Sequence, residues 1–378
     1  MDALDLSRRL IRCPSVTPEE AGVLDALAAT LEPAGFSCRR MRFSAEGTPD
    51  VDNMVATVGA GAPHFAFAGH LDVVPPGGGW TVKPFAAEVK DGLLYGRGAA
   101  DMKTAVAAFS AAAVDFLAER GADFGGTLSL IVTCDEEGPG INGTAKVMAA
   151  LKDAGALPEA CLLGEPTCPD RFGEAMKIGR RGSLTARIAV PGVQGHVAYP
   201  ERADNPIHRL VRILDELTAK KLDAGNAHFP PSSLAVTTVD VGNPATNVIP
   251  GAAQAALNIR FNTEQTAEGL MRWISEAVAR HAPAATVAFE CSAHPFLTPP
   301  GALSDLVAAA VAEVAGVTPE LSTSGGTSDA RFIKDYCPVV EFGLVGRTMH
   351  GSDEHVAVAD VAALAAVYRR VLDKVFAS

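Results

Sequence analysis

Eight residues able to bind a cation or move a proton fall at recurring places in this chain: His70, Asp72, Asp101, Asp135, Glu136, Glu137, Glu165 and His350. Four short apolar segments lead into most of them. HFAFAGH from His64 ends in His70 and Asp72, TLSLIVT from Thr127 runs into Asp135, Glu136 and Glu137, EACLLGE from Glu159 ends at Glu165, and PVVEFGL from Pro338 precedes His350. Asp101 follows the glycine-bearing turn GRGAAD and is expected to open a helix that faces the same edge. In an open α/β sheet, sites assemble at the C-terminal ends of the strands.

Carboxylates gathered this closely raise one another's pKa and resist joint ionisation unless positive charge is supplied. One or two divalent cations resolve that conflict. Histidine with carboxylate and no cysteine suits catalytic rather than structural zinc, and a shared carboxylate would hold two ions about 3.5–4 Å apart. Taken singly, His70 is an ordinary strand-end residue and Glu136–Glu137 an ordinary solvated loop. Their co-occurrence on one edge, beside Gly69, Gly138 and Gly164, whose missing Cβ lets backbone approach a buried ion, points instead to a two-metal hydrolytic centre. The pattern alone leaves open which of Glu136 and Glu137 is a ligand and which a base.

The elements that must position these residues are legible from periodicity. The four apolar segments lack polar alternation, as expected for central strands covered on both faces by helices such as the one predicted over 101–120. Near the start, Thr17 as N-cap, Pro18 at the first helical position and Glu20 three residues after the cap predict a first helix that ends near Pro33. Between about Arg181 and Ala293 the texture changes. SLTARIAV, SLAVTTVDV, AQAALNIRF and TVAFECS alternate more clearly, with helices expected near 205–220 and 264–281. The order strand, helix, strand, strand, helix, strand is a split βαβ sandwich, a unit inserted into a larger α/β domain. The expected division is a discontinuous catalytic domain, 1–181 with 294–378, and an inserted domain, 182–293.

Bulk properties exclude several classes. The 378 residues are 48% hydrophobic and 20% charged, enough for one large core and a smaller one. The net charge is -12 with no basic run, so nucleic acid is an unsuitable partner. No apolar stretch approaches the roughly 18 residues of a membrane span, and MDALDLSRRL lacks the layout of a signal peptide, so a cytoplasmic location is expected. The seven cysteines contain no CxxC pair and read as reduced core residues rather than as a disulfide frame.

GHLDVVPPG, YGRGAADMK, CDEEGPGINGT, LGEPT and MHGSDEH resemble the five metal-site blocks of the peptidase family M20 metallohydrolases, and the resemblance covers essentially the whole chain. It implies a zinc-hydrolase type three-layer α/β/α catalytic domain with an inserted α+β, ferredoxin-like dimerisation domain. RCPSVTP, IGRRGSL, VQGHVAYP, NVIPG and GGTSDARF are similar to the members that act on N-succinyl-LL-2,6-diaminopimelate. The activity so implied is hydrolysis of that linear amide to succinate and LL-2,6-diaminopimelate, in lysine and cell-wall precursor synthesis. The alternatives are an N-acetylornithine deacetylase or general aminoacylase of the same fold, and an inactive relative that only binds amino-acid derivatives.

The resemblance further implies two Zn2+ ions per subunit, with Co2+ as a substitute. His70 and Glu165 would hold one ion, Glu137 and His350 the other, and Asp101 both. Asp72 would orient His70, and Glu136 would be the general base. His196 would reach the partner subunit's site in a homodimer formed through the inserted domain and stabilise the oxyanion there. Arg180, Ser183, Tyr199, Asn247, Arg260, Gly326 and Thr327 would contact the small N-acyl amino acid. Two departures stand out: Leu71 where the family usually has Thr, and Gly346 where some members have a substrate-contacting Asn.

Overall fold

A computed structural model describes residues 1–377. The chain divides into two compact units: Met1–Ile178 with Thr298–Ser322 and Ser328–Ser378, and Gly179–Leu297 with Thr323–Thr327.

The larger unit is built on an eight-stranded sheet. In spatial order its strands are Ser37–Ala45, Thr48–Gly59, Thr127–Thr133, His64–His70, Ala160–Leu163, Val339–Glu341, Ala175–Lys177 and Glu320–Ser322. The four apolar segments form its centre, pairing in parallel from Thr127–Thr133 through to Val339–Glu341. Parallel strands need crossover connections, and each crossover supplies covering helix, which is why these strands carry no polar face. Helix Lys103–Arg120 packs on the His64–His70 strand and against helices Ala3–Ile11 and Val358–Val375. Phe67 stacks on Phe109 at 4.2 Å, Tyr368 meets both rings edge-on, and its hydroxyl donates to the Phe342 carbonyl at 2.7 Å.

Two of the glycines beside the strand ends, Gly69 and Gly164, are also needed for packing. A Cβ on Gly69 would lie 2.6 Å from Met102 Cε, and one on Gly164 2.5 Å from the Phe67 ring. These two therefore let the helix and the core close tightly behind the site. That helix begins at Lys103, two residues after Asp101.

The predicted first helix is corrected in both place and cap. A helix at Ala3–Ile11 precedes it, with Asp2 accepting from the Leu4 amide at 2.8 Å, and the next spans Val23–Leu31 with Gly22 as N-cap. Thr17 caps nothing. Its amide donates to the Val73 carbonyl at 3.1 Å while the Val73 amide donates to Ser15, so the segment is held extended and its local helix signal loses to a tertiary pairing.

The smaller unit is a four-stranded antiparallel sheet in the order Ser233–Asp240, Ala252–Phe261, Gly182–Pro191, Thr286–Ala293. Helices Pro206–Ala219 and Ala267–His281 bury Leu210, Ile213, Leu217, Leu270 and Ile274 against Leu184, Ile188, Leu257 and Ile259 of the sheet. Asn205 and Thr266 supply the N-caps, accepting from Ile207 and Gly269 amides. No helix among the described residues is long and apolar enough to cross a membrane.

Candidate metal centre

The site grows from strand ends. His70 closes its strand, and its Nδ1–H donates to the Asp72 carbonyl at 3.0 Å, which leaves Nε2 to face Asp101 Oδ1, also at 3.0 Å. The Asp72 carboxylate lies 3.6 Å from Nδ1 and accepts the amides of Glu136 at 3.3 Å and Glu137 at 3.0 Å. Asp72 thus sets both the tautomer of His70, through its backbone, and the course of the Glu136–Glu137 loop, through its side chain.

Two ligand groups result. His70, Asp101 and Glu165 bring donor atoms within 4.8 Å of one another, and so do Asp101, Glu137 and His350. Asp101 belongs to both: its Oδ2 lies 3.3 Å from His350 Nε2, which is also 2.9 Å from Glu137 Oε1. All five residues lie in the larger unit. Glu165 Oε1 is buried without a hydrogen-bond partner, a costly state for a carboxylate oxygen in protein but an ordinary one for a cation ligand. The donor set of two imidazoles and three carboxylates, with one carboxylate common to both groups, fits a pair of divalent ions.

The electrostatics agree. Burial pushes Glu136 up to about 8, against the pull of His70 and with help from Asp329 and Asp101, and it drives Glu165 well up in the same way. Burial likewise raises Asp72 to about 7. Asp101 goes the other way: its hydrogen bonds from His350 and His70 outweigh burial and lower it. His70, which burial would lower, is held well above the usual imidazole range by Asp101, and His350 is pushed up to about 10 by its bonds to Asp101 and Glu137. Protons therefore balance the carboxylates until a cation does. Cation uptake must displace them from both imidazoles and from Glu165, so it releases protons and weakens as pH falls.

The other predicted site residues lie in the smaller unit. The buried Arg180 donates from Nη1 to the Gly326 carbonyl at 3.2 Å, with Thr327 next in sequence. Ser183 pairs in register with Arg260, and its hydroxyl accepts from Asn258 at 3.2 Å. Exposed His196 sits in a two-stranded bridge with Val248, beside Tyr199 at 5.8 Å between rings, and the Asn247 carbonyl accepts from Val197. His196 Nδ1 accepts the Ala198 amide at 3.1 Å, so a neutral ring carries its hydrogen on Nε2.

Four residues with no role in the sequence reading emerge. Arg97 and Glu354 are buried beneath Asp101, and Asp329 is buried near Glu136 with its Oδ2 on Thr144 at 2.6 Å. Arg181 is lowered by burial first and then by the charge of Arg260. All four lie in motifs quoted for the resemblance, Arg97 in YGRGAADMK, Arg181 in IGRRGSL, Asp329 in GGTSDARF and Glu354 in MHGSDEH.

A sequence profile described as Peptidase family M20/M25/M40 matches residues 66–374. A protein named succinyl-diaminopimelate desuccinylase, from Methylorubrum populi, is 56% identical over 381 residues, covering 99% of this chain and 98% of its own. Among solved structures, an M20 family metallo-carboxypeptidase from Sulfolobus solfataricus superposes with a TM-score of 0.79 at 15% identity, covering all of both chains. A dinuclear metal-binding peptidase of the M20 family from Bacillus subtilis does so with a TM-score of 0.65 at 17% identity, covering 98% of this chain and 97% of its own.

Proposed function

The chain belongs to peptidase family M20/M25/M40, and from that premise we propose that it hydrolyses the succinyl amide of N-succinyl-LL-2,6-diaminopimelate, releasing succinate and LL-2,6-diaminopimelate for lysine and cell-wall precursor synthesis. The observation that carries the reading is Asp101, one carboxylate common to two histidine–carboxylate groups beside the half-buried Glu136. The 56% identical relative supports the choice of substrate.

His70 and Glu165 would hold one Zn2+, Glu137 and His350 a second, and Asp101 both, with Co2+ able to replace zinc. Bound there, such a pair polarises an amide carbonyl and supplies a nucleophile at neutral pH. Glu136 takes the proton of the attacking water and passes it to the departing amine of the diaminopimelate. Arg180, Arg260, Asn247, Ser183, Gly326 and Thr327 bind the substrate's carboxylates, with Tyr199 against its chain. The seven free cysteines suit a reducing cytoplasm.

The inserted segment 182–293, which lies within the smaller unit, makes a homodimer in this reading. Strand Ser233–Asp240 is a sheet edge, and Val239 on it and Val211 on the neighbouring helix are 55% and 57% exposed. His196 then offers Nε2–H to the oxyanion in the partner subunit's site. Sedimentation at assay concentration is expected to give twice the chain mass. A monomer that retains full activity removes both the dimer and this role of His196.

Turnover of N-succinyl-diaminopimelate beside N-acetylornithine, before and after chelation, tests the activity. The succinyl substrate should have the higher kcat/KM, and chelation should abolish turnover until zinc or cobalt is returned. A preference for acetylornithine reassigns the specificity, whereas binding without turnover of either substrate makes the protein an inactive relative.

A further inference from the structure

Arg97 and Glu354 form an ion pair, Nη1 to Oε2 at 2.6 Å, in which both side chains are out of solvent. A buried pair is a weak source of stability, because desolvating both charges offsets their attraction. Its hydrogen bonds show where it acts. Glu354 Oε1 accepts the amides of Ala100 at 2.8 Å and Asp101 at 3.1 Å, and Oε2 accepts the Gly98 amide at 3.1 Å. Those amides are the turn that delivers Asp101. On the other side, Arg97 Nη2 donates to the His350 carbonyl at 3.3 Å and to the Pro76 carbonyl at 3.2 Å, with the Trp80 ring 5.2 Å away.

His350 needs such a hold. Its φ is +62°, in the left-handed region that a residue with a Cβ seldom adopts. The loop that follows is clasped as well: Ser352 donates to the Gly78 carbonyl at 2.7 Å, and Asp353 accepts the Thr81 amide and hydroxyl, each at 2.8 Å.

We infer that Glu354 and Arg97 are positioning residues for the metal centre: the pair fixes Asp101, common to both ligand groups, relative to His350, which belongs to one. The inference rests on the two-metal reading above. Groups that orient ligands govern affinity nearly as much as the ligands themselves.

Chelator-stripped parent protein, Glu354→Gln and Arg97→Lys are titrated with Co2+ by calorimetry, and thermal unfolding of the stripped proteins is measured in parallel. Glutamine can keep an oxygen on Ala100 and Asp101 but turns an NH2 toward Arg97 and the Gly98 amide. Glu354→Gln is therefore expected to weaken both cobalt steps by about 10–100-fold. Lysine keeps a charge opposite Glu354 without the guanidinium fork that also reaches His350, so Arg97→Lys is expected to weaken one step and spare the other. A merely structural pair would lower the unfolding temperature of the stripped form and leave cobalt affinity at the parent's level, and that result overturns the inference. If Glu354→Gln fails to fold, Arg97→Lys decides alone, with two parent-like steps counting against. A parent that takes up no cobalt removes the metal centre and this inference together.

Discussion

Glu136→Gln is expected to lower kcat for N-succinyl-diaminopimelate by about 10²–10⁴-fold, the range of a general base, while the metal content stays at the parent's value. Glutamine keeps the size and the amide through which Glu136 is tied to Asp72 at 3.3 Å, and Glu136 belongs to neither ligand group. Only the proton transfer is lost. The neighbouring Glu137→Gln should behave differently, because Glu137 Oε1 faces His350 Nε2 at 2.9 Å and stands in the second group. It should lose metal as well as rate. Elemental analysis of the two variants therefore separates base from ligand. Glu136→Gln protein with near-parent turnover would move the base elsewhere, and loss of metal from it would make Glu136 a ligand.

That distinction marks where the sequence stops being informative. The four central strands were legible because burial on both faces leaves an uninterrupted apolar run, and their polar C-terminal neighbours followed. The edge strand Ser37–Ala45, SCRRMRFSA, carries three arginines and gave no such run, while Ala175–Lys177 and Glu320–Ser322 are too short to show a period. The helix Ala3–Ile11 was readable in principle, since Leu6, Leu10 and Ile11 lie on one buried face behind an Asp N-cap. At Thr17 a sound local signal was overruled by pairing with Val73, a contact 56 residues away that no local rule contains.

The site shows the same limit more sharply. Residue type and strand-end position gathered the candidates, but which carboxylate faces which imidazole depends on side-chain direction across separate strands. The resemblance implied Asp101 as the common member, but the Arg97–Glu354 pair behind it comes from three-dimensional proximity between residues 257 apart in the chain.

Asp101→Asn should fail in the opposite manner to Glu136→Gln: activity lost together with metal. Asp101 is the one residue in both ligand groups, with Oδ1 at 3.0 Å from His70 and Oδ2 at 3.3 Å from His350. Asparagine replaces one of those oxygens with an NH2, which repels a cation, so at most one ion can remain. Metal-ion catalysis contributes several kcal/mol, which corresponds to a loss of about 10³-fold or more in rate. A second readout is independent of turnover. A ligand that binds only the folded state stabilises it in proportion to the logarithm of its concentration, so added zinc should raise the unfolding temperature of the parent and raise that of the variant much less. Glu165→Gln is the control, because Glu165 serves one group only and its loss should leave the ion on the Glu137–His350 side. An Asp101→Asn protein that keeps a full complement of metal and the parent's zinc-dependent stabilisation would show that the two groups do not share this carboxylate, and the two-ion hydrolytic reading would go with it.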